Sequence, residues 1–229
     1  MNKIKQRGGR VIAVGSIAHG YSETDDNDYD FSTRSASSLV YGNAKRRLMY
    51  SFAELGDRAQ IYINDNLIDI LYINDKLKTE FSAKKGDTLT ILCENMGRAN
   101  FGAKMMRKKG IAGRCLFDNR VHFNWEVYTM PMDNLGNIPF ENKEFKEKSA
   151  FYRGYINIEN PKDTFLKLSD FTKGFVTING FNLGRYWEIG PQQTLYVPAS
   201  VLKNGENEII VFESDGLKGE PVVEFVNKP

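Results

Sequence analysis

Histidine, cysteine and tryptophan are scarce in this chain of 229 residues, which has two of each. The histidines, His19 and His122, leave a serine nucleophile without a ready base and fall short of a zinc ligand set. The cysteines, Cys93 and Cys115, make no disulfide framework. Each lies among apolar strand residues and reads as a small core side chain; they pair only if the fold brings them together. Long apolar runs are missing too: none approaches the roughly 20 residues that span a bilayer, so no membrane partner is expected. A net charge of +2 is too small to argue for nucleic acid. The densest basic run, 104–109 (KMMRKK), has no interleaved aromatics and reads as a solvated loop.

The apolar patch 11–18 is short and interrupted by Gly15, a poor secretory signal, which predicts a cytoplasmic protein with secretion as the alternative. Asp26, Asp28 and Asp30 alternate like the start of a calcium loop. Phe31 stands where its turn glycine should be, however, and Ser37 where its bidentate glutamate should be. No metal and no cofactor are expected.

What the chain has in quantity is aromatic residues and turn formers: fifteen Phe and eleven Tyr beside twenty Gly. Aromatics favour strands and glycine punctuates turns, so the composition predicts an all-β fold. In 175–179, Val176 and Ile178 alternate with Thr177 and Asn179, the period of a half-buried strand. Asn179-Gly180 then supplies the positive φ angles of a tight hairpin. Strands are predicted likewise over 48–52, 59–64, 67–73, 88–93, 150–158, 163–168, 194–197, 208–213 and 221–226, with a hairpin around Asp118-Asn119. A further strand is conceivable over 10–17.

Part of this text occurs twice. Ile61-Tyr62-Ile63-Asn64-Asp65 returns as Val176-Thr177-Ile178-Asn179-Gly180, and a Gly turn followed by an apolar strand ends on Glu94 in one copy and Glu213 in the other. Two β-sandwiches of one plan follow, each near ordinary domain size. The division is a poorly defined segment over 1–45, a first sandwich over 46–124, a connection over 125–148 and a second sandwich over 149–229. Equivalence across the repeat predicts a shared structural role for Glu94 and Glu213, receiving backbone donors or an arginine.

The stretch 179–213, with Asn-Gly, Asn-Leu-Gly-Arg-Tyr-Trp, Gly-Pro-Gln, Leu-Tyr-Val-Pro and Gly-Glu-Asn, resembles the C-terminal β-domain of the glycoside hydrolase family 35 β-galactosidases. Glu-Asn-Met-Gly-Arg (94–98), Asn100-Phe101-Gly102 and Lys109-Gly110-Ile111 resemble an earlier segment of that family, and the likeness runs over 48–229; Tyr41-Gly42 resembles a remnant of its upstream Tyr-Gly-Tyr. The resemblance implies two jelly-roll, galactose-binding-domain-like β-sandwiches. It also implies a parent enzyme that hydrolyses terminal β-galactosides with retention, through two glutamates about 5–5.5 Å apart. Those glutamates belong to a TIM-type barrel of about 250 residues ahead of the β-domains. They map to no residue here, so no catalytic residue is assigned and the barrel becomes the expected partner.

Sugars are gripped by aromatic faces and planar polar groups. Asn182, Arg185, Tyr186 and Trp187, read as a loop after the hairpin, with Gln192 and the adjacent Gln193, are the candidate site for galactose-containing sugars. The plainer alternative buries Tyr186 and Trp187, pairs Arg185 with an acid and spends Asn182 on closing a turn. Three functions follow: an accessory region bracing a hydrolase barrel, a free-standing carbohydrate-binding module, and a protein-interaction domain.

Overall fold

The computed structural model describes residues 7–10, 46–75, 77–84, 87–122, 125, 127–128, 130–132, 134–140 and 149–228. The aspartate run 26–30, His19, Tyr41-Gly42 and nearly all of the strand expected over 10–17 lie outside them. The chain divides into two compact units, Ala13–Pro131 and Met132–Pro229 with Met1–Ile12. Strand β1 (Arg7–Arg10) belongs to the second.

The first unit contains β2 (Arg46–Phe52), β3 (Leu55–Gly56), β4 (Arg58–Ile63), β5 (Asn66–Tyr72), β6 (Lys78–Ala83), β7 (Leu89–Glu94), β8 (Gly110–Ile111), β9 (Cys115–Phe117) and β10 (Arg120–His122). They form a four-stranded sheet in the order β10-β9-β2-β6, a three-stranded sheet β5-β4-β7 and a small β3-β8 bridge. All pairs are antiparallel. In β6 burial alternates strictly, with Thr79, Phe81 and Ala83 inward. The core joins Leu48, Tyr50, Phe52, Phe81 and Phe117 to Ala59, Ile61, Ile63 and Ile91. Tyr50 is its hub, with ring centroids 4.7 Å from Phe117 and 5.2 Å from Phe52.

Both cysteines are free and belong to this core. Burial pushes the Cys93 thiol up to about 12 and that of Cys115 up to about 11, the second tempered by the Tyr50 hydroxyl. That hydroxyl is wholly buried beside Cys115, a weak partner, and makes no hydrogen bond of ordinary geometry. A buried donor without a full partner costs stability. Tyr50→Phe is therefore expected to leave the unit as stable or to stabilise it by up to about 1 kcal/mol. A lower urea midpoint for the variant would show that the hydroxyl is satisfied after all.

The second unit contains β11 (Ala150–Ile158), β12 (Thr164–Lys167), β13 (Lys173–Ile178), β14 (Phe181–Trp187), β15 (Thr194–Val197), β16 (Gly205–Glu213) and β17 (Glu224–Val226). A five-stranded sheet β1-β11-β16-β13-β14 faces a three-stranded sheet β15-β12-β17 across a core of Tyr152, Leu166, Phe171, Val176, Ile178, Leu195, Val197, Ile209 and Val211. Both units are thus all-β and sandwich-like, as the strand and turn pattern predicts.

The internal repeat is real in three dimensions, with one adjustment. β4-β5 and β13-β14 are hairpins turned by Asn64-Asp65 and Asn179-Gly180, all four residues at positive φ, and each carries an irregularity at the same place. In each copy the asparagine also staples the hairpin to the third strand. The Asn64 side-chain oxygen accepts from Thr88 N at 2.9 Å, and that of Asn179 from Glu208 N at 3.2 Å. Thr88 therefore corresponds to Glu208, which makes Ser214 the counterpart of Glu94. Glu94 stands opposite Arg58, whereas Glu213 stands opposite Gly174, one residue out of step. Because side chains alternate across a strand, a slip of one puts the two glutamates on opposite faces.

Candidate functional site

The six residues 182–187 form a strand, not the loop the sequence suggests, and that sorts them by face. Gly184 and Tyr186 stand opposite Val176 and Gly174 on the core side, while Arg185 and Trp187 stand opposite Phe175 and Lys173 on the outer side. Tyr186 is buried, and its hydroxyl reaches the Phe212 carbonyl at 2.8 Å and Glu213 Oε2 at 3.0 Å. Trp187 is half-buried, with the Lys173 ammonium 5.1 Å from its ring centroid. Asn182 is exposed and accepts Gly184 N at 2.8 Å, closing a local turn. Arg185 and Gln192 are exposed.

A shallow depression open to solvent brings together Tyr186, Trp187 and Gln192, with Gln193, Glu188 and Thr194; Asn182 and Arg185 do not line it. It has room for about one water molecule, against the roughly 300–1,000 Å³ of small-molecule sites.

Joined to that depression through Tyr186 is a dense polar constellation around Glu213, whose backbone donors the sequence led one to expect and whose Tyr186 partner it did not. Glu213 is fully buried in the core-facing row of β16. Its carboxyl receives Thr172 N at 2.8 Å, Thr172 Oγ1 at 2.6 Å, Asp215 N at 2.8 Å, Lys173 N at 3.3 Å and the Tyr186 hydroxyl. Burial pushes its pKa above the ordinary glutamate value, and the hydrogen bonds from Thr172, Asp215 and Tyr186 pull it part of the way back. The Glu213 charge in turn raises Tyr186, whose burial is the larger cause.

Gly174 makes the constellation possible. It sits on β13 between Tyr186 on one side and Glu213 on the other, and having no side chain lets the Tyr186 hydroxyl cross the strand. A lone glycine in a strand pattern signals such a close approach, so this much was open to a sequence reader. A carboxyl with no exposed surface meets no substrate, so Glu213 is an anchor for the chain reversals around Thr172 and Asp215.

Glu94 is also structural, by the other route. Arg58, 1% exposed on the outer face of β4, donates to Glu94 Oε2 at 3.0 Å and lies 5.5 Å from the Tyr72 ring centroid. Of the two roles the sequence allows, backbone donors went to Glu213 and the arginine to Glu94. Among the described residues no group of three or more His, Cys, Asp or Glu side chains could hold a metal ion. Among the same residues no helix is long and apolar enough to cross a membrane.

Comparison with known proteins finds two family models on the chain. One, described as the first all-beta domain of beta-galactosidase, matches residues 37–131. The other, its galactose-binding domain, matches residues 149–207. Beta-galactosidase 1 of Dictyostelium discoideum is 32% identical over 214 residues, covering 82% of this chain and 32% of that protein. Beta-galactosidase of Bos taurus is 34% identical over 202 residues, covering 76% and 31%. Beta-galactosidase-1-like protein 2 of Homo sapiens is 37% identical over 187 residues, covering 76% and 28%. The chain thus spans about a third of the length of the relatives it matches.

Proposed function

The chain belongs to the β-galactosidase family, carrying the non-catalytic β-domains of these glycoside hydrolases, and we propose that its two units brace a catalytic barrel. The observation that carries this reading is that each model falls on its own compact unit, residues 37–131 on one and 149–207 on the other. The barrel supplies the two glutamates of a retaining hydrolysis of terminal β-galactosides, and this chain supplies none of the reacting groups. Its contribution is scaffolding that borders the mouth of the active site.

Co-expression with the catalytic domain of the bovine relative tests the reading. The purified chain alone is expected to leave a chromogenic β-galactoside untouched, and the co-expressed pair to co-purify with a higher soluble yield of active barrel. Turnover by the chain alone, or failure of the two to co-purify, would overturn it.

A second reading, sugar binding by this chain, rests on Trp187, Tyr186 and Gln192 lining one depression. Arg185 and Asn182 lie outside that depression and would act on a sugar bound across the outer face. Tyr186 brings only a ring edge, since its hydroxyl is engaged below. A tryptophan-fluorescence titration with galactose and lactose decides between the readings. The small depression predicts no saturable change into the high millimolar range; a saturable change that disappears in Trp187→Ala would make Trp187 a binding residue.

A further inference from the structure

Between β7 and β8 the first unit sends out a loop, residues 95–109, whose surface is unlike the rest of the sandwich. Phe101 is 88% and Met106 84% exposed, the largest exposures of big apolar side chains among the described residues, and Met105 beside them is 43% exposed. The one turn of 3-10 helix in the loop, Ala103–Met106, has no buried residue, so burial does not hold it in place.

Side chains hold it instead. The Lys109 ammonium pairs with Asp57 at 2.6 Å and reaches the Gly97 carbonyl. Asp57 in turn accepts Met96 N at 2.8 Å. Arg107 donates to the Leu55 carbonyl at 3.2 Å, and Arg98 to the Met105 carbonyl at 3.3 Å. Three cations and one carboxylate thus fix a loop whose apolar tips, Phe101 and Met106, stay largely exposed. Fixing a loop in advance removes an ordering cost from any later association.

Charge narrows the occupant. From Asn95 to Phe117 the sequence holds Arg98, Lys104, Arg107, Lys108, Lys109 and Arg114 and no Asp or Glu. Two copies meeting symmetrically through this loop would bring like charges together. The loop lies wholly inside the match to the first all-beta domain, and the relatives that share this domain are about three times as long as the chain. Another protein domain is therefore the surface to look for.

We infer that the Phe101–Met106 tip is the docking element of the first unit, seating its apolar side chains in a socket rimmed by carboxylates on the catalytic domain. The inference rests on the bracing function proposed above and names its contact. An exposed aromatic flanked by methionines, ringed by cations, has the composition of an interface centre with a polar rim.

The co-expressed pair again provides the experiment, now comparing the chain with Phe101→Ser/Met106→Ser and Lys104→Glu/Lys108→Glu variants. Both pairs change exposed side chains that play no part in the ties above, so each variant should melt within a degree or two of the parent. Expected are at least a tenfold loss of binding to the catalytic domain for the serine pair, and for the glutamate pair a similar loss together with a shallower salt dependence. Co-purification unchanged in both variants would overturn the docking loop while leaving the bracing function standing; no co-purification of the parent chain would overturn both. Two further results would also overturn it. One is binding to phosphatidylcholine–phosphatidylserine vesicles that the serine pair abolishes, which would make the tip a membrane contact. The other is a concentration-dependent dimer in size-exclusion chromatography with light scattering that the same pair dissolves.

Discussion

Gly174→Ala is expected to destabilise the second unit by about 4 kcal/mol, the sum of an overpacking cost and a lost buried hydrogen bond. The position has no positive φ, so space rather than backbone strain sets the cost. A Cβ there would run into the Phe212 carbonyl, main chain that the β13-β16 ladder holds in register, and would lie 2.8 Å from the Tyr186 hydroxyl. Neither neighbour can yield cheaply. Moving β16 breaks the ladder at Phe175, Val176 and Thr177, and moving Tyr186 takes its hydroxyl from Glu213 and Phe212. Urea unfolding followed by circular dichroism measures the effect. Tyr186→Phe, which deletes the hydroxyl without adding bulk, separates the two causes with an expected cost of about 1–3 kcal/mol. Should Gly174→Ala cost less than Tyr186→Phe, the close approach of β13 to β16 would be wrong.

Gly174 also shows why some of this molecule can be read from sequence and some cannot. The three hairpin turns at Asn64-Asp65, Asp118-Asn119 and Asn179-Gly180 are local events in which residue type supplies the needed backbone angles, and all three residue pairs have positive φ. β4, with a neighbour on each side, was equally legible, because its apolar Ala59, Ile61 and Ile63 alternate with polar Arg58, Gln60 and Tyr62, although Arg58 and Gln60 are buried as well. Among the described residues β14 is an edge strand, paired with β13 alone. Its exposed Asn182 and Arg185 and its Gly184 break the alternation, so composition alone suggested a loop. The candidate sugar residues then seemed to converge, when a strand must send neighbours to opposite faces. The one-residue slip between Glu94 and Glu213 was hidden for a related reason. The turn glycines give an apparent alignment, whereas the true one is set by the asparagine staples to Thr88 and Glu208. Nor does any local pattern show that the tip of a basic loop carries bare Phe101 and Met106, because exposure is a property of what the rest of the chain fails to cover.

Glu213 is expected to stabilise the second unit in a pH-dependent way, and the sign follows from its burial, which raises the carboxyl against the opposing pull of its hydrogen bonds. The Thr172 hydroxyl has one proton and two acceptors in reach, Glu213 Oε1 at 2.6 Å and the Gly216 carbonyl at 3.0 Å. The Tyr186 hydroxyl likewise has one proton for Phe212 O and Glu213 Oε2. A proton on Glu213 Oε1, donated to Thr172 Oγ1, frees the Thr172 proton for Gly216 and leaves only the Tyr186 proton shared between two acceptors. This agrees with burial having raised the carboxyl above its ordinary value. A group whose folded pKa is raised binds more protons folded than unfolded. Its contribution is therefore fully present below the unfolded glutamate value of about 4.3 and is lost as pH rises through the higher folded value. Glu213→Ala leaves the amides of Thr172, Lys173 and Asp215 without their acceptor and is expected to cost about 3–5 kcal/mol. Glu213→Gln keeps the shape and the donor toward Thr172, but its amide nitrogen then faces Asp215 N, for an expected cost of about 1–3 kcal/mol. Urea titrations of the parent and Glu213→Gln between pH 4 and 8 should show the stability gap widest at pH 4 and narrowing upward. A gap independent of pH would mean that Glu213 has the same charge folded and unfolded. The five donors would then surround a permanent carboxylate, and the shared proton would have to be given up.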